Sequence, residues 1–219
     1  MTRKDAPPVR PGRGRRPSAA VRAAVLDATS DLMFEGGVPS VTFDRVAAHA
    51  GVSKTTVYKW WPTPGALAAE AYFARTEETL EFPDTGDLRT DILTQLRAFV
   101  DLLTGQGGGR VIAQLIGAAQ TDPVLSAAVS ESYTKPRRQL AVDCFERARE
   151  RGQLRPDVDL DILVDQLWGA CYNRLLVPDE PITTEFADAL VENTLRGAAS
   201  PEYRADRLAA RESSRTRPS

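Results

Sequence analysis

The stretch GVSKTTVYKWW, Gly51 to Trp61, packs two lysines, two threonines and three large aromatics into eleven residues, in a chain with only three Trp and five Tyr. Its side chains divide into two sets. Glycine takes a positive φ most easily, so Gly51 ends one helix and begins a turn. Ser53 then supplies a capping hydroxyl, with Val52 and Val57 at the two positions of a hydrophobic staple. The helix before it starts with the same device, Thr42 as cap and Val41 and Val46 as staple. Ala47 is small enough for the second helix to cross closely over the first. Val46, Val52, Val57, Trp60 and Trp61 supply the apolar contact between them, so both tryptophans are expected in the core. Left over are Ser53, Lys54, Thr55, Thr56, Tyr58 and Lys59, with no carboxylate among them. Short hydroxyls reach base edges or a thymine methyl, while a phenol and amines hold phosphates, so this set suits a major groove. A solvated helix face is the plainer alternative.

Working outward, Val21, Val25, Ala28 and Leu32 fall on one helical stripe, with Ser18 as a cap and Gly36-Gly37 as the stop. Residues 18–63 therefore read as a three-helix head. Residues 1–17, rich in Pro, Gly and Arg, read as a disordered basic arm. Its Arg13, Arg15 and Arg16 are placed to run along or into a minor groove; a solubilising tail is the other reading. On the other side Thr63 is a cap, with Pro64 at the first helical position. From there the chain is expected to continue as helices over 64–80, 88–104, 110–120, 123–151 with a bend at Pro136, 158–177 and 183–198. Gly105 to Arg110 reads as a flexible loop and residues 200–219 as a frayed polar tail. Alternating β patterns are absent. The fold class is all-α: a helix-turn-helix head on a larger helical body over 64–199.

The net charge is only −2, but it is unevenly spread. Residues 1–65 hold ten Lys/Arg against five Asp/Glu, and the remainder 18 against 25. A basic head on an acidic body is expected when one end meets a polyanion. Cys144 and Cys171 each lie in an apolar helical pattern and read as buried free thiols, which suits a reducing compartment. No apolar run reaches the ~18 residues of a membrane span, and the N-terminus has no signal-peptide core, so no membrane is expected and the location reads as cytoplasmic. His49 is the only histidine, which argues against a metal site or a catalytic triad. No cofactor motif and no enzyme chemistry stand out.

Residues 18–67, centred on TFDRVAAHAGVSKTTVYKWWPTPGAL, resemble the DNA-binding domain of the TetR (tetracycline-repressor-like) family of bacterial transcriptional regulators. The stretch TDPVLSAAVSESYTKPRRQLAVDCFERARERGQLRPDVDLDILVDQLWGACYNRLL resembles the ligand-binding domain of one subgroup. The resemblance implies a homodimer on a palindromic double-stranded DNA operator, released by a small-molecule inducer, with the last two helices forming a four-helix bundle with their symmetry mates. It departs from the family at Thr63-Pro64-Gly65, where a Lys often follows the start of the fourth helix and can contact a phosphate.

The candidate DNA-binding residues are Arg15, Arg16, Thr42, Ser53, Lys54, Thr55, Thr56, Tyr58 and Lys59. Phe99, Leu103, Tyr133 and Trp168 are candidate pocket-lining residues, with Gln114 or Asn173 as polar anchor. Apolar residues cover more than one side of the last two helices, which makes Leu167, Cys171, Leu175, Phe186 and Leu190 candidates for a dimer interface. The competing class is a helical small-molecule-binding module whose basic head meets RNA or an acidic protein.

Overall fold

The computed structural model describes residues 18–205 apart from Gln106 and Pro178. Three helices form the head: α1 (Ser18–Gly36), α2 (Phe43–Ala50) and α3 (Lys54–Trp60), with a 3₁₀ turn Val38–Ser40 between the first two. The body comprises α4 (Pro64–Thr76), α5 (Leu88–Thr104), α6 (Gly108–Ala119), α7 (Pro123–Val129), α8 (Lys135–Glu150), α9 (Leu160–Leu176) and α10 (Thr184–Ala198). No residue pair among those described forms a strand; Leu154 and Ala199 make a single isolated bridge.

The helix starts follow their hydroxyls. Thr42 Oγ1 accepts from Arg45 N at 3.3 Å, Ser53 Oγ from Thr56 N at 3.2 Å, and Thr63 Oγ1 from Ala66 N at 3.1 Å. Each bond satisfies a donor that the first helical turn leaves without a partner. Gly51 ends α2 in the left-handed region at φ 65°, and nothing lies within 4 Å of a side chain placed there. The staple residues Val41, Val46 and Val57 are buried. α1 begins at Ser18 itself, and what precedes it lies outside the described residues.

Three expectations are corrected. The Gly-rich segment is not a loose loop. Gly108 and Gly109 form the first turn of α6, pressed so tightly on α5 that an added Cβ would sit 2.5 Å from Leu102 O and 2.1 Å from Leu103 O. Glycine is there for close packing. The segment 123–151 is helical throughout but changes pitch: a π-turn spans Ser130–Thr134, with Lys135 N–H donating to Ser130 O, five residues back. Pro136 has no N–H to give and its ring would crowd the carbonyl of Ser132, so the helix widens just ahead of it. The start of the polar tail is docked rather than frayed. Ser200 and Tyr203 are buried, Ser200 Oγ donates to Gly152 O at 2.8 Å, and the Tyr203 hydroxyl donates to Asp87 at 2.7 Å at the start of α5.

α4 joins head to body without a flexible linker. Glu70 on it accepts from Trp61 Nε1 at 2.8 Å and is ion-paired with Arg22 of α1, whose guanidinium lies 4.9 Å from the Trp61 ring centre. One carboxylate thus fixes the first, third and fourth helices together. Further along, Tyr72 is fully buried against Tyr133 of the π-turn, ring centres 5.3 Å apart.

Candidate nucleic-acid interface and ligand cavity

α3 presents Ser53, Lys54, Thr55, Tyr58 and Lys59 to solvent, with Thr56 half-buried. Tyr58 is 55% exposed although its ring packs edge-on against Phe43 at 4.5 Å. That contact holds the phenol outward in a fixed direction at little entropic cost. Thr42 is exposed at the start of α2, beside this face. The tryptophans part company: Trp61 is buried, whereas Trp60 is half-buried and lines a shallow groove with Ser18, Val21, Gly51, Thr56 and Lys59. The expectation that both are core holds for one of them.

The nine candidate contacts are not equivalent. Lys54 Nζ lies 2.6 Å from Asp44 Oδ1 of α2, a hydrogen bond that raises the lysine above its ordinary value. The absence of carboxylates from α3 itself concealed this partner. Ser53 and Thr56 share a hydroxyl bond of 2.8 Å while serving the helix cap. Thr55, Tyr58 and Lys59 have no side-chain hydrogen-bond or ion-pair partner among the described residues, which leaves their polar atoms open to a ligand. Arg15 and Arg16 lie outside the described residues.

In the body, a cavity of about 280 Å³ opens between the 80–82 segment and helices α5, α8 and α9. That is near the lower end of small-molecule sites, typically ~300–1,000 Å³. Phe99, Tyr133 and Trp168 line it as expected, joined by Phe82, Tyr172, Gln95 and Arg137. Trp168 Nε1 donates to Gln95 Oε1 at 2.9 Å, and the Tyr133 and Tyr172 hydroxyls lie 3.0 Å apart. Burial pushes both phenols up, so they stay protonated.

Three proposed pocket residues are elsewhere. Leu103 is buried in the core beneath Gly109, and Asn173 is exposed on the outer side of α9. Gln114 points the other way: its Oε1 accepts from Val38 N at 2.8 Å and packs against Gly37, tying α6 to the head. Arg110, one turn earlier, donates to the carbonyls of Phe34 and Glu35, the unpaired end of α1. Sequence reasoning missed Gln95, Arg137 and Tyr172 as cavity residues. The available signal was a polar group on an apolar stripe: Gln95 between Ile92 and Phe99, and Arg137 between Tyr133 and Ala141.

Of the interface candidates, Leu167 and Cys171 are buried within the subunit, which removes them from any outer face. Leu175 approaches Gly109 of α6, and Phe186 lies under the Arg174 guanidinium at 3.7 Å. Leu190 is half-buried. What the two last helices leave exposed is a different stripe, with Ile162, Gln166, Gly169 and Leu176 on α9 and Asn193 and Gly197 on α10. The four heptad-like steps were legible; which flank the subunit itself would use was not.

His49 is exposed on α2, 3.7 Å from Asp31. Among the described residues no cluster of His, Cys, Asp or Glu has the arrangement of a metal site, and no helix is long and apolar enough to cross a membrane.

A capped helix-turn-helix with an outward hydroxyl-and-amine face, set on a helical body that encloses a small cavity, defines a class: ligand-responsive DNA-binding regulators. Residues 25–71 match the family described as bacterial regulatory proteins, tetR family, and residues 82–194 the tetracyclin repressor-like C-terminal domain. The chain belongs to the TetR family of transcriptional regulators. It is 34% identical to the HTH-type transcriptional regulator YdeS of Bacillus subtilis, over 84% of this chain and 93% of that protein. It is 30% identical to the DNA-binding transcriptional repressor TetR of Mycobacteroides abscessus, over 84% and 94%. Among solved structures, the TetR family transcription regulator SCO0332 superposes with a TM-score of 0.78 at 56% identity, covering 81% of this chain and 97% of that one.

Proposed function

We propose that the chain acts as a homodimeric repressor that places α3 of each subunit in the major groove of a palindromic operator and lets go when a small molecule occupies the body cavity. One observation carries the reading. Thr55, Tyr58 and Lys59 project from a helix anchored by buried Val57 and Trp61, and no protein group competes for their polar atoms among the described residues. Thr55 is the base reader, Tyr58 and Lys59 hold phosphates, and Arg15 and Arg16 add contacts from the arm. Such a protein works in the cytoplasm, where its DNA is.

The stripe Ile162, Gln166, Gly169 and Leu176 supports assembly through α9 and α10. No neighbour lies within 4 Å of a Cβ added at Gly169 or Gly197, so nothing within the subunit calls for glycine there. Glycine in a helix interior costs about 1 kcal/mol against alanine, a cost that close approach of a second copy would offset. A two-fold dimer then sets the recognition helices about one DNA turn, ~34–36 Å, apart or a small stretch beyond.

Release needs a link between cavity and head. Tyr133 lines the cavity and packs on Tyr72; Tyr72 belongs to α4, whose other end is fastened to Trp61 and Arg22 through Glu70. A ligand that displaces Tyr133 tilts α4 and with it both heads. Gln114 and Arg110 give α6 a second grip on the end of α1. The test is a fluorescence-anisotropy titration on the DNA flanking the coding region, scanned for an inverted repeat. Saturable binding that competitor DNA does not abolish, lost in Thr55→Ala with Lys59→Ala, supports the reading. Binding untouched by both substitutions rejects α3 as the reader.

A further inference from the structure

The cavity is walled by Phe82, Phe99, Tyr133, Trp168 and Tyr172, yet it contains one charge of its own, Arg137. The Arg137 guanidinium is half-buried and stacks 5.2 Å from the Phe73 ring centre. Its Nη1 donates to Leu80 O at 3.1 Å and its Nη2 to Thr76 Oγ1 at 3.4 Å, both neutral acceptors. Its Nε is enclosed without a partner, and no carboxylate lies within 4 Å of it among the described residues. Glu77 acts on it only through space, and burial holds it below its ordinary value. A half-buried cation without a counter-ion is an expensive arrangement that a bound anion would relieve. The neighbouring cation, Arg138, is not available for this, because Asp161 and Asp165 at the cavity mouth hold it.

The rest of the polar wall is also rich in donors. Gln95 is 97% buried by virtue of a 3% relative exposure, and its Oε1 is taken by Trp168 Nε1. Its amide N–H groups have no acceptor among the described residues. In the Tyr133–Tyr172 hydroxyl pair one O–H serves the other, leaving the second proton to donate onward.

We infer that the ligand is an amphipathic organic anion, a carboxylate on an aromatic or branched apolar body, with its carboxylate on Arg137 within reach of the Tyr133–Tyr172 pair. The inference rests on the cavity being the effector site, but it is tested without DNA. Aromatic walls alone would equally suit an organic cation through cation–π contact, and Arg137 at the same site opposes that choice. Guanidinium and carboxylate match as a two-pronged pair, which fixes the ligand's orientation as well as its charge.

Three probes of one shape separate the possibilities: 4-phenylbutanoate, 4-phenylbutanamide and 4-phenylbutylamine, titrated calorimetrically into the full chain at pH 7.5. The acid is expected to bind at least ten-fold tighter than the amide, with no binding by the amine. Arg137→Gln should bring the acid down to the affinity of the amide and leave the amide unchanged. If that variant fails to fold, Arg137→Lys, which keeps the charge and loses the fork, should retain the order acid over amide with a weakened acid. Ala141→Phe, which fills the cavity, should abolish binding of both. Equal binding of acid and amide, preference for the amine, an acid preference that survives Arg137→Gln, or no binding by any probe at millimolar concentration overturns the inference. Loss of operator binding with acid binding intact would instead count against the repressor reading alone.

Discussion

Lys54 and Lys59 stand five positions apart on one short helix, but they do not carry equal charge to a phosphate. Asp44 already neutralises Lys54 at 2.6 Å, whereas Lys59 has no ion-pair partner among the described residues. Lys59→Ala should weaken binding to all duplexes alike and make the slope of log affinity against log salt shallower by about one unit. Asp44→Asn should do the reverse, releasing Lys54 to strengthen binding and steepen the slope. Thr55→Ala should leave the slope alone and lose about 1–3 kcal/mol of discrimination at one base position. Anisotropy titrations at several salt concentrations on specific and scrambled duplexes measure all three. The two thiols offer a pH prediction. Burial pushes Cys144 up to about 11 and Cys171 to about 12. Because the folded state keeps protons that the unfolded chain gives up near pH 8.5, their contribution to stability is complete below that point and falls away as pH rises toward 11–12. Ellman's reagent at pH 8 should therefore find no reactive thiol in the native protein and two after unfolding; rapid native reaction would show that these sites open. Legibility at this scale followed chemistry. Caps, staples and free thiols depend on residue type and spacing and could be read, whereas Asp44–Lys54 and Gln114–Val38 depend on which helices meet.

At the scale of the element, two glycines predict opposite kinds of damage. Gly51→Ala meets no neighbour and suffers only the strain of a left-handed backbone, about 1–2 kcal/mol. Asparagine there should recover part of the loss. Gly109→Ala drives a Cβ to 2.1 Å from Leu103 O, a backbone atom that cannot step aside. It should cost at least the 1–3 kcal/mol typical of overpacking and should shift α6. Denaturant titration of both variants tests the contrast, and equal, small losses would mean that α5 and α6 are free to separate. The reading of Gly105 to Arg110 as a loop failed for this reason. Glycine marks either a flexible backbone or a very close contact, and composition does not distinguish them. The helix over 123–151 was legible as a helix, and Pro136 as an irregularity. That the irregularity is a wide turn, which brings Tyr133 against both Tyr72 and Tyr172, depends on packing.

For the molecule as a whole, the question is what the remaining apolar surface is for. Ile162 is 51% exposed and Leu176 43% exposed on the same side of α9. Ile162→Arg should leave helical content unchanged and convert the dimer to monomers in light scattering, with operator affinity falling because two half-sites are no longer bound together. A wild-type chain that is already monomeric at micromolar concentration would remove this surface from the argument. Coupling between ends is reciprocal: an inducer that weakens operator binding by some factor must itself bind less tightly, by that factor, when operator is present. Calorimetry with and without operator measures both sides. The order of parts along the chain was legible because each part has its own local pattern. The outer flank of α9 was not, because a helix apolar on more than one side does not say which side its own subunit claims.

The wide turn at Ser130–Thr134 also sets the phase of everything that follows it. A single-residue deletion there would let the segment wind as plain α-helix, and each residue of an α-helix turns it by about 100° and advances it by ~1.5 Å. α8 would arrive rotated by that angle, carrying Arg137 and Ala141 off the cavity and Cys144 and Phe145 out of the core together. Descendants of this chain are therefore free to change side chains along α8 one by one, but its residue count between Pro123 and Arg137 is locked, while the length of the segment between α9 and α10 is under no such constraint.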